Sequence, residues 1–145
     1  MRILGIDYGR RSIGLAISDE DGSLARGLAV IPRNQWEREL PRIIREYRVQ
    51  LLVVGMPTTM DNREGSQVKT ILEFMGKLRE TTGCAVTRWD ERLSSKLAER
   101  YLLSADLSRQ KRKAIIDRLS AQIILQDYLD FQRQADYPRK EAEEI

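Results

Sequence analysis

The alternation in Arg2–Ser18 commits the start of this chain to a pair of buried β-strands. In Arg2–Asp7, strand geometry puts Ile3, Gly5 and Asp7 on one face and Leu4 and Ile6 on the other. Ser12–Ser18 alternates more cleanly, with Ile13, Leu15 and Ile17 on one face and Ser12, Gly14, Ala16 and Ser18 on an opposite face of small residues. A tight turn at Tyr8–Arg11, with Gly9 at positive φ, would pair the two strands. Asp7 would then end a buried strand on a floor of Gly5, Gly14 and Ala16, open to a bulky ligand, with Arg10 and Arg11 beside it. The plainer alternative is a strand-end turn acid.

The remaining chain alternates strand and helix signals. Ser23–Ile31 reads as a third strand, after the turn residues Asp19–Gly22. Asn34 is a plausible N-cap for a helix to about Tyr47, with Trp36, Leu40, Ile43 and Ile44 at helical spacing. Val49–Val54 is an apolar run but for Gln50, as expected of a strand covered on both faces and parallel to a neighbour. Gly55–Ser66 follows as a long loop at the carboxyl end of that strand, where ligands bind in open α/β sheets. Ser66 is expected to cap a helix to Thr82, with Val68, Ile71, Leu72, Met75 and Leu78 as its buried stripe and Gly83 as its stop. Cys84–Trp89 reads as a fifth strand. A last long helix is expected from Ser108 to about Gln132, its apolar side marked by Ile116, Leu119, Ile123, Ile124, Tyr128 and Phe131.

Composition removes several chemistries. The 145 residues suit one domain, and no apolar run approaches the roughly 20 residues needed to span a bilayer. Met1 leads straight into a strand, so a cytoplasmic, non-membrane protein is expected. Zero histidines exclude Ser-His-Asp and Cys-His catalysis and the usual zinc sites, and the lone Cys84 has no partner for a disulfide. Acids, amines and hydroxyls remain. A net charge of +3 says little by itself, but Arg109, Lys111, Arg112 and Lys113 crowd together after Arg88, Arg92, Lys96 and Arg100.

Two further acid positions stand out. Asp90 and Glu91 end the fifth strand and must point in opposite directions, one toward a site and the other toward solvent or a helix cap. Which does which is left open by the spacing. Asp117 lies in line with Ser120, Ala121, Ile124 and Tyr128 rather than on the polar side of its helix. A salt bridge to Lys113, one turn earlier, would be its structural explanation.

The order β-β-β-α-β-α-β-α-α, with acids after strands one and five and on the last helix, resembles the ribonuclease H-like fold. Four motifs narrow the likeness: Ile6–Ala16 (Ile-Asp-Tyr-Gly-Arg-Arg-Ser-Ile-Gly-Leu-Ala), Gly55–Pro57 with Met60, Asp61 and Gly65, Asp90–Ser95 (Asp-Glu-Arg-Leu-Ser-Ser), and Ile116–Gln126. In this order and spacing they resemble the YqgF family, described both as Holliday junction resolvases and as nucleases that mature the small-subunit ribosomal RNA precursor. The resemblance runs from Met1 to about Phe131, which makes 1–131 the expected nuclease domain and 132–145 a polar, frayed tail. Family members more often carry threonine at position 94 and alanine at position 120, where this chain has Ser94 and Ser120.

The resemblance implies an α/β protein with a mixed five-stranded sheet flanked by helices, three antiparallel strands followed by parallel ones. It implies a hydrolase acting on phosphodiester bonds in structured nucleic acid, in processing of the 5′ end of pre-16S rRNA, with Mg²⁺ or Mn²⁺ as cofactor. Asp7, Glu91 and Asp117 are then the expected catalytic metal ligands, with Asp90 as substitute for Glu91. Arg10, Arg11, Gly55, Pro57, Arg63, Arg92, Arg112 and Lys113 are the expected substrate contacts. The expected partner is an rRNA precursor or branched DNA, alone or in a pre-ribosomal particle, met by a monomer or homodimer. Three alternatives stay in view: a DNA junction resolvase, a non-catalytic RNA-binding module for ribosome assembly, and an ATP-binding lobe suggested by Asp7-Tyr8-Gly9 with Gly14.

Overall fold

The computed structural model describes residues 1–57, 65–91 and 108–143; Glu91, Arg109, Gln110, Arg112, Lys113, Ala114, Asp117 and residues 134–143 are described by their backbone alone. Five strands form one sheet: β1 (Arg2–Tyr8), β2 (Ser12–Ser18), β3 (Ala25–Pro32), β4 (Val49–Pro57) and β5 (Ala85–Glu91). Their order is β3-β2-β1-β4-β5. β1–β2 and β2–β3 are antiparallel, and β1–β4 and β4–β5 are parallel. The helices are α1 (Trp36–Tyr47), α2 (Gly65–Thr82) and α3 (Arg109–Glu143). This is the mixed sheet expected from the sequence, with β1 at its centre.

Helices cover both faces. On one, Leu4, Ile6, Ile13, Leu15, Ile17, Leu52 and Val54 pack against Trp36, Leu40 and Ile43 of α1 and Ile71, Phe74, Met75 and Leu78 of α2. On the other, Ile3, Ala16 and Val53 pack against Ala121, Ile124, Leu125 and Leu129 of α3. The split follows the parity of β1, β2 and β4, and Leu52–Val54 is buried on both sides because helices flank it on both sides, whereas Gln50 is exposed.

The α3 face is built from small residues because a helix crosses it closely. A Cβ on Gly5 would fall 2.8 Å from Leu125 Cβ and 3.1 Å from the Ala121 carbonyl oxygen, and one on Gly27 would fall 2.6 Å from Arg118 Cγ. Ala16 lies fully buried between them. The open floor expected under Asp7 is therefore filled by α3 at Gly5 and Ala16. These side chains are small to admit a helix, so they do not provide clearance for a ligand.

Local corrections have local causes. Gly9 is not among the glycines of positive φ, which are Gly22 and Gly83; it is small because a Cβ there would lie 2.6 Å from the Ser12 oxygen that accepts its N–H bond. Asn34 sits inside a 3₁₀ turn, Arg33–Gln35, and α1 starts two residues later after Gln35 without a side-chain cap. Leu72 is exposed, and Phe74 takes the buried place on α2. Gly83, at φ 68°, stops α2 as expected, its N–H bonding the Arg79 carbonyl at 2.9 Å. Ser108 does precede the last helix and accepts the Lys111 N–H at 3.4 Å, but that helix continues past Gln132 to Glu143. Leu125 and Leu129, missed in the sequence pattern, carry its buried side, whereas Phe131 is exposed. Among the described residues no helix is long and apolar enough to cross a membrane.

Candidate active site at the carboxyl edge of the sheet

β1, β4 and β5 run parallel, so their carboxyl ends meet at one edge, where α/β sheets place their ligands. Asp7 lies there, half-buried, opposite the buried Gly14 of β2. Its side chain takes part in interactions within the fold. Alternation puts it on the α3 face with Ile3 and Gly5, and puts Tyr8 on the opposite face, where it packs with the first core.

Register decides between the adjacent acids of β5. Met56 pairs with Asp90 and Pro57 with Glu91, while Leu52, Val54 and Met56 belong to the core under α1 and α2. Asp90, which is exposed, therefore shares the face of Met56. Position 91 shares the face of Val53, Trp89 and Asp7. Between Asp7 and that position stands buried Gly55, the residue after Ile6's partner Val54 and the partner of Trp89. A glycine here leaves the space between the two strand ends without a side chain.

α3 approaches the same corner. It runs antiparallel to β1: Leu129 packs with Ile3, and the Leu125–Ala121 turn lies on Gly5. Two strand residues advance about 6.6 Å and four helical residues about 6 Å, so the two series stay in step. One more step brings Asp7 level with the turn that begins at position 117. The buried Ser120, Ala121 and Ile124 fix the side of α3 turned to the sheet, and position 117 falls in their line. By this spacing position 117 lies toward the same edge as Asp7 and position 91. Among the described residues no three acids, cysteines or histidines gather as a metal-binding group, and Asp7 is the one member of the triad whose side chain is described.

The expected substrate contacts are spread around this corner. Arg10 and Arg11 are exposed at the β1–β2 turn, and among the described residues no carboxylate pairs with them. Gly55 and Pro57 belong to β4 itself rather than to a loop. Arg63 and Arg92 lie outside the described residues, and Arg112 and Lys113 fall in the first turns of α3, whose amino end points to the same edge.

Sequence reasoning missed Tyr8 and Arg33. The Arg33 guanidinium lies over the Tyr8 ring, 4.4 Å from its centroid, and Phe74 stacks on that ring at 4.0 Å with an interplanar angle of 14°. Tyr8 was legible as the neighbour of Asp7 on the opposite face. Arg33 was not, because only the fold brings the end of β3 beside the β1–β2 turn.

Comparison with known proteins identifies the family and the fold. The family model described as "RuvX: Holliday junction resolvase" matches residues 1–131. The chain is 47% identical over 133 residues to a protein of Desulforamulus reducens named "Putative pre-16S rRNA nuclease", covering 90% of this chain and 97% of that one. A protein of the same name from Halothermothrix orenii is 47% identical over 135 residues, covering 91% and 96%. Among solved structures, Thermus thermophilus RuvC bound to a Holliday junction superposes with TM-score 0.54 at 17% identity, over 92% of this chain and 96% of that one. The fowlpox virus resolvase bound to junction DNA gives 0.57 at 13% identity, over 91% and 99%. At such identities the last two likenesses concern the fold.

Proposed function

The chain belongs to the RuvX family, and from that membership we propose that it is a metal-dependent nuclease that hydrolyses phosphodiester bonds in the precursor of 16S rRNA. One observation supports the reading: Asp7 and position 91 share one face of the sheet at its carboxyl edge, the face that α3 covers. Relatives sharing 47% of their residues over nearly their full length carry the name of a nuclease for that precursor.

Carboxylates are the donors that hard cations such as Mg²⁺ and Mn²⁺ prefer, and a chain without histidine has few other strong donors to offer. Asp7, Glu91 and Asp117 would hold the cation. When bound, it supplies a water of lowered pKa and a counter-charge for the leaving oxygen. Two ionised acids about 4 Å apart repel by roughly 4 kcal/mol at an effective dielectric near 20. A carboxylate triad of that kind therefore either binds a cation or keeps a proton. Asp7 is held by the central strand, so its backbone is fixed in place before substrate arrives. Arg10 and Arg11, with Arg63, Arg92, Arg112 and Lys113, would hold the flanking phosphates. Gly55 and Pro57 would shape the floor between the acids.

A side-by-side assay on a 16S rRNA precursor and a four-way DNA junction, with Mg²⁺ and with Mn²⁺, tests the reading. Metal-dependent cleavage of the RNA, lost in Asp117→Asn while binding persists, is the expected result. Cleavage of the junction alone would favour the resolvase reading suggested by the family description. Undiminished cleavage by Asp117→Asn would remove the triad, and binding without cleavage would leave an RNA-binding module.

A further inference from the structure

The face of the sheet opposite Asp7 carries a second basic feature at the same edge. Phe74 covers one face of the Tyr8 ring, so the Arg33 guanidinium, also within contact of the ring, takes the other. Arg33 is tied to the β1–β2 turn twice: its Nη1 donates to the Arg10 carbonyl at 3.3 Å and its backbone N–H to the Arg11 carbonyl at 2.9 Å. Arg33 is half-buried as a residue and its guanidinium is oriented, with one planar face spent on Tyr8 and several N–H donors remaining.

Two clefts flank it. One, of about 450 Å³, lies between Arg33, Arg10 and the first turns of α2 at Ser66, Gln67 and Thr70. The other, of about 470 Å³, is bounded by Arg33, Arg10, Arg11 and Asn34. They share Tyr8, Arg10 and Arg33, and among the described residues no acid lines either. A site of this size takes a unit as large as a nucleotide and is too small for a double helix. Its charge is uniformly positive among the described lining residues. Only the turn at Gly9 separates it from Asp7, because Asp7 and Tyr8 are consecutive residues on opposite faces.

We propose that this arginine-lined cleft holds the phosphodiester backbone of a single-stranded segment of the substrate that flanks the bond cut on the Asp7 face. The inference rests on the nuclease reading and adds to it the class of substrate selected, a junction of duplex and single strand. The strand passes over Gly9, its phosphates meeting Arg10 and Arg11 at the turn and Arg33 in the cleft. Arg33 was not among the residues expected to contact substrate. Tyr8 and Phe74 serve as its support, since a guanidinium stacked on a half-buried, packed ring loses less freedom on binding a phosphate than one on an untethered side chain.

The test is binding measured without divalent cation, so that cleavage plays no part. An RNA hairpin with a single-stranded extension and the same hairpin with a blunt end are titrated against wild type, Arg33→Gln and Arg42→Gln. The last removes the same charge from α1, where Arg42 pairs with Glu39 and Glu46. For wild type the extension should tighten binding about tenfold or more. Arg33→Gln should lose most of that gain, keep its affinity for the blunt hairpin, and show a log–log salt slope shallower by about 0.7 per phosphate no longer neutralised. Arg42→Gln should keep the gain.

No gain from the extension in wild type, or equal losses in Arg33→Gln and Arg42→Gln, would overturn the proposal. Should Arg33→Gln unfold, Arg10→Gln decides instead, because Arg10 contributes only its carbonyl to the bond with Arg33; a full gain in that variant likewise overturns it. Failure of the nuclease reading shows elsewhere, as absence of metal-dependent cleavage by wild type.

Discussion

Gly5 leaves no room for a side chain beneath Leu125: a Cβ there would lie 2.8 Å from Leu125 Cβ, with the Ala121 carbonyl oxygen at 3.1 Å. Neither atom is the free end of a flexible side chain, so Gly5→Ala must push α3 off the sheet. Overpacking of this kind costs about 1–3 kcal/mol. Because the same helix carries position 117, cleavage should fall further than stability alone explains. Thermal melts and turnover measured on the same preparation check this, and an unchanged melting temperature would show that α3 yields without cost.

The register of β5 separates two adjacent acids. Glu91→Gln should lose cleavage by at least a hundredfold, as expected when a group needed for general acid–base or metal chemistry is removed, while Asp90→Asn, on the opposite face and exposed, should stay within about threefold of wild type. The reverse pattern would mean that the strand end rotates when substrate binds.

Asp7 can be tested without catalysis. Mg²⁺ should raise the melting temperature of wild type, since a ligand that binds only the native state stabilises it by mass action. The rise should be much smaller in Asp7→Asn. An equal rise in both would move the metal away from Asp7.

Ser120 is buried on α3, and among the described residues its Oγ has no hydrogen-bond partner. A buried hydroxyl left unpaired costs roughly 1–3 kcal/mol. Ser120→Ala should therefore stabilise the protein by about 1 kcal/mol, raising the melting temperature by about 3 °C for a chain of this size. A lower melting temperature would show that the hydroxyl is paired in solution.

Asp19 offers a pH-dependent contact away from the site. Its carboxylate accepts the Ser23 N–H at 2.7 Å and the Ser23 hydroxyl at 2.8 Å, and more weakly the Leu24 N–H at 3.3 Å. The Ser23 bonds, first among these causes, hold its pKa below the ordinary carboxylate value. A lowered folded pKa gives stability that is present above the unfolded value and lost as pH falls through the folded one. Asp19→Asn should melt below wild type at pH 7, and the gap should close as the pH is taken down through the aspartate range. A gap independent of pH would assign the effect to turn geometry alone.

Much of the fold was legible because it is written in short periods. Ser12–Ser18 is the strand that its alternation predicts, and Leu52–Val54 is buried on both faces as an unbroken apolar run requires. Where the pattern misled, a competing packing explains it. Leu72 and Phe74 are both apolar on α2, yet only the latter reaches Tyr8 and Trp36. Gly5 and Ala16 read as open floor because a sequence shows that a residue is small without showing what fills the space above it.

By itself the sequence determined the strands, the parity that sets Asp7 apart from Tyr8, and the absence of histidine chemistry. These depend on residues near one another in the chain, and steric alternation acts over one or two residues. Only the tertiary structure decided that position 91 rather than Asp90 shares the face of Asp7, that α3 fills the floor at Gly5, and that Arg33 stands on Tyr8. Each of these follows from a pairing register or a helix approach between distant segments, selected by burial across the whole sheet, which no local period encodes.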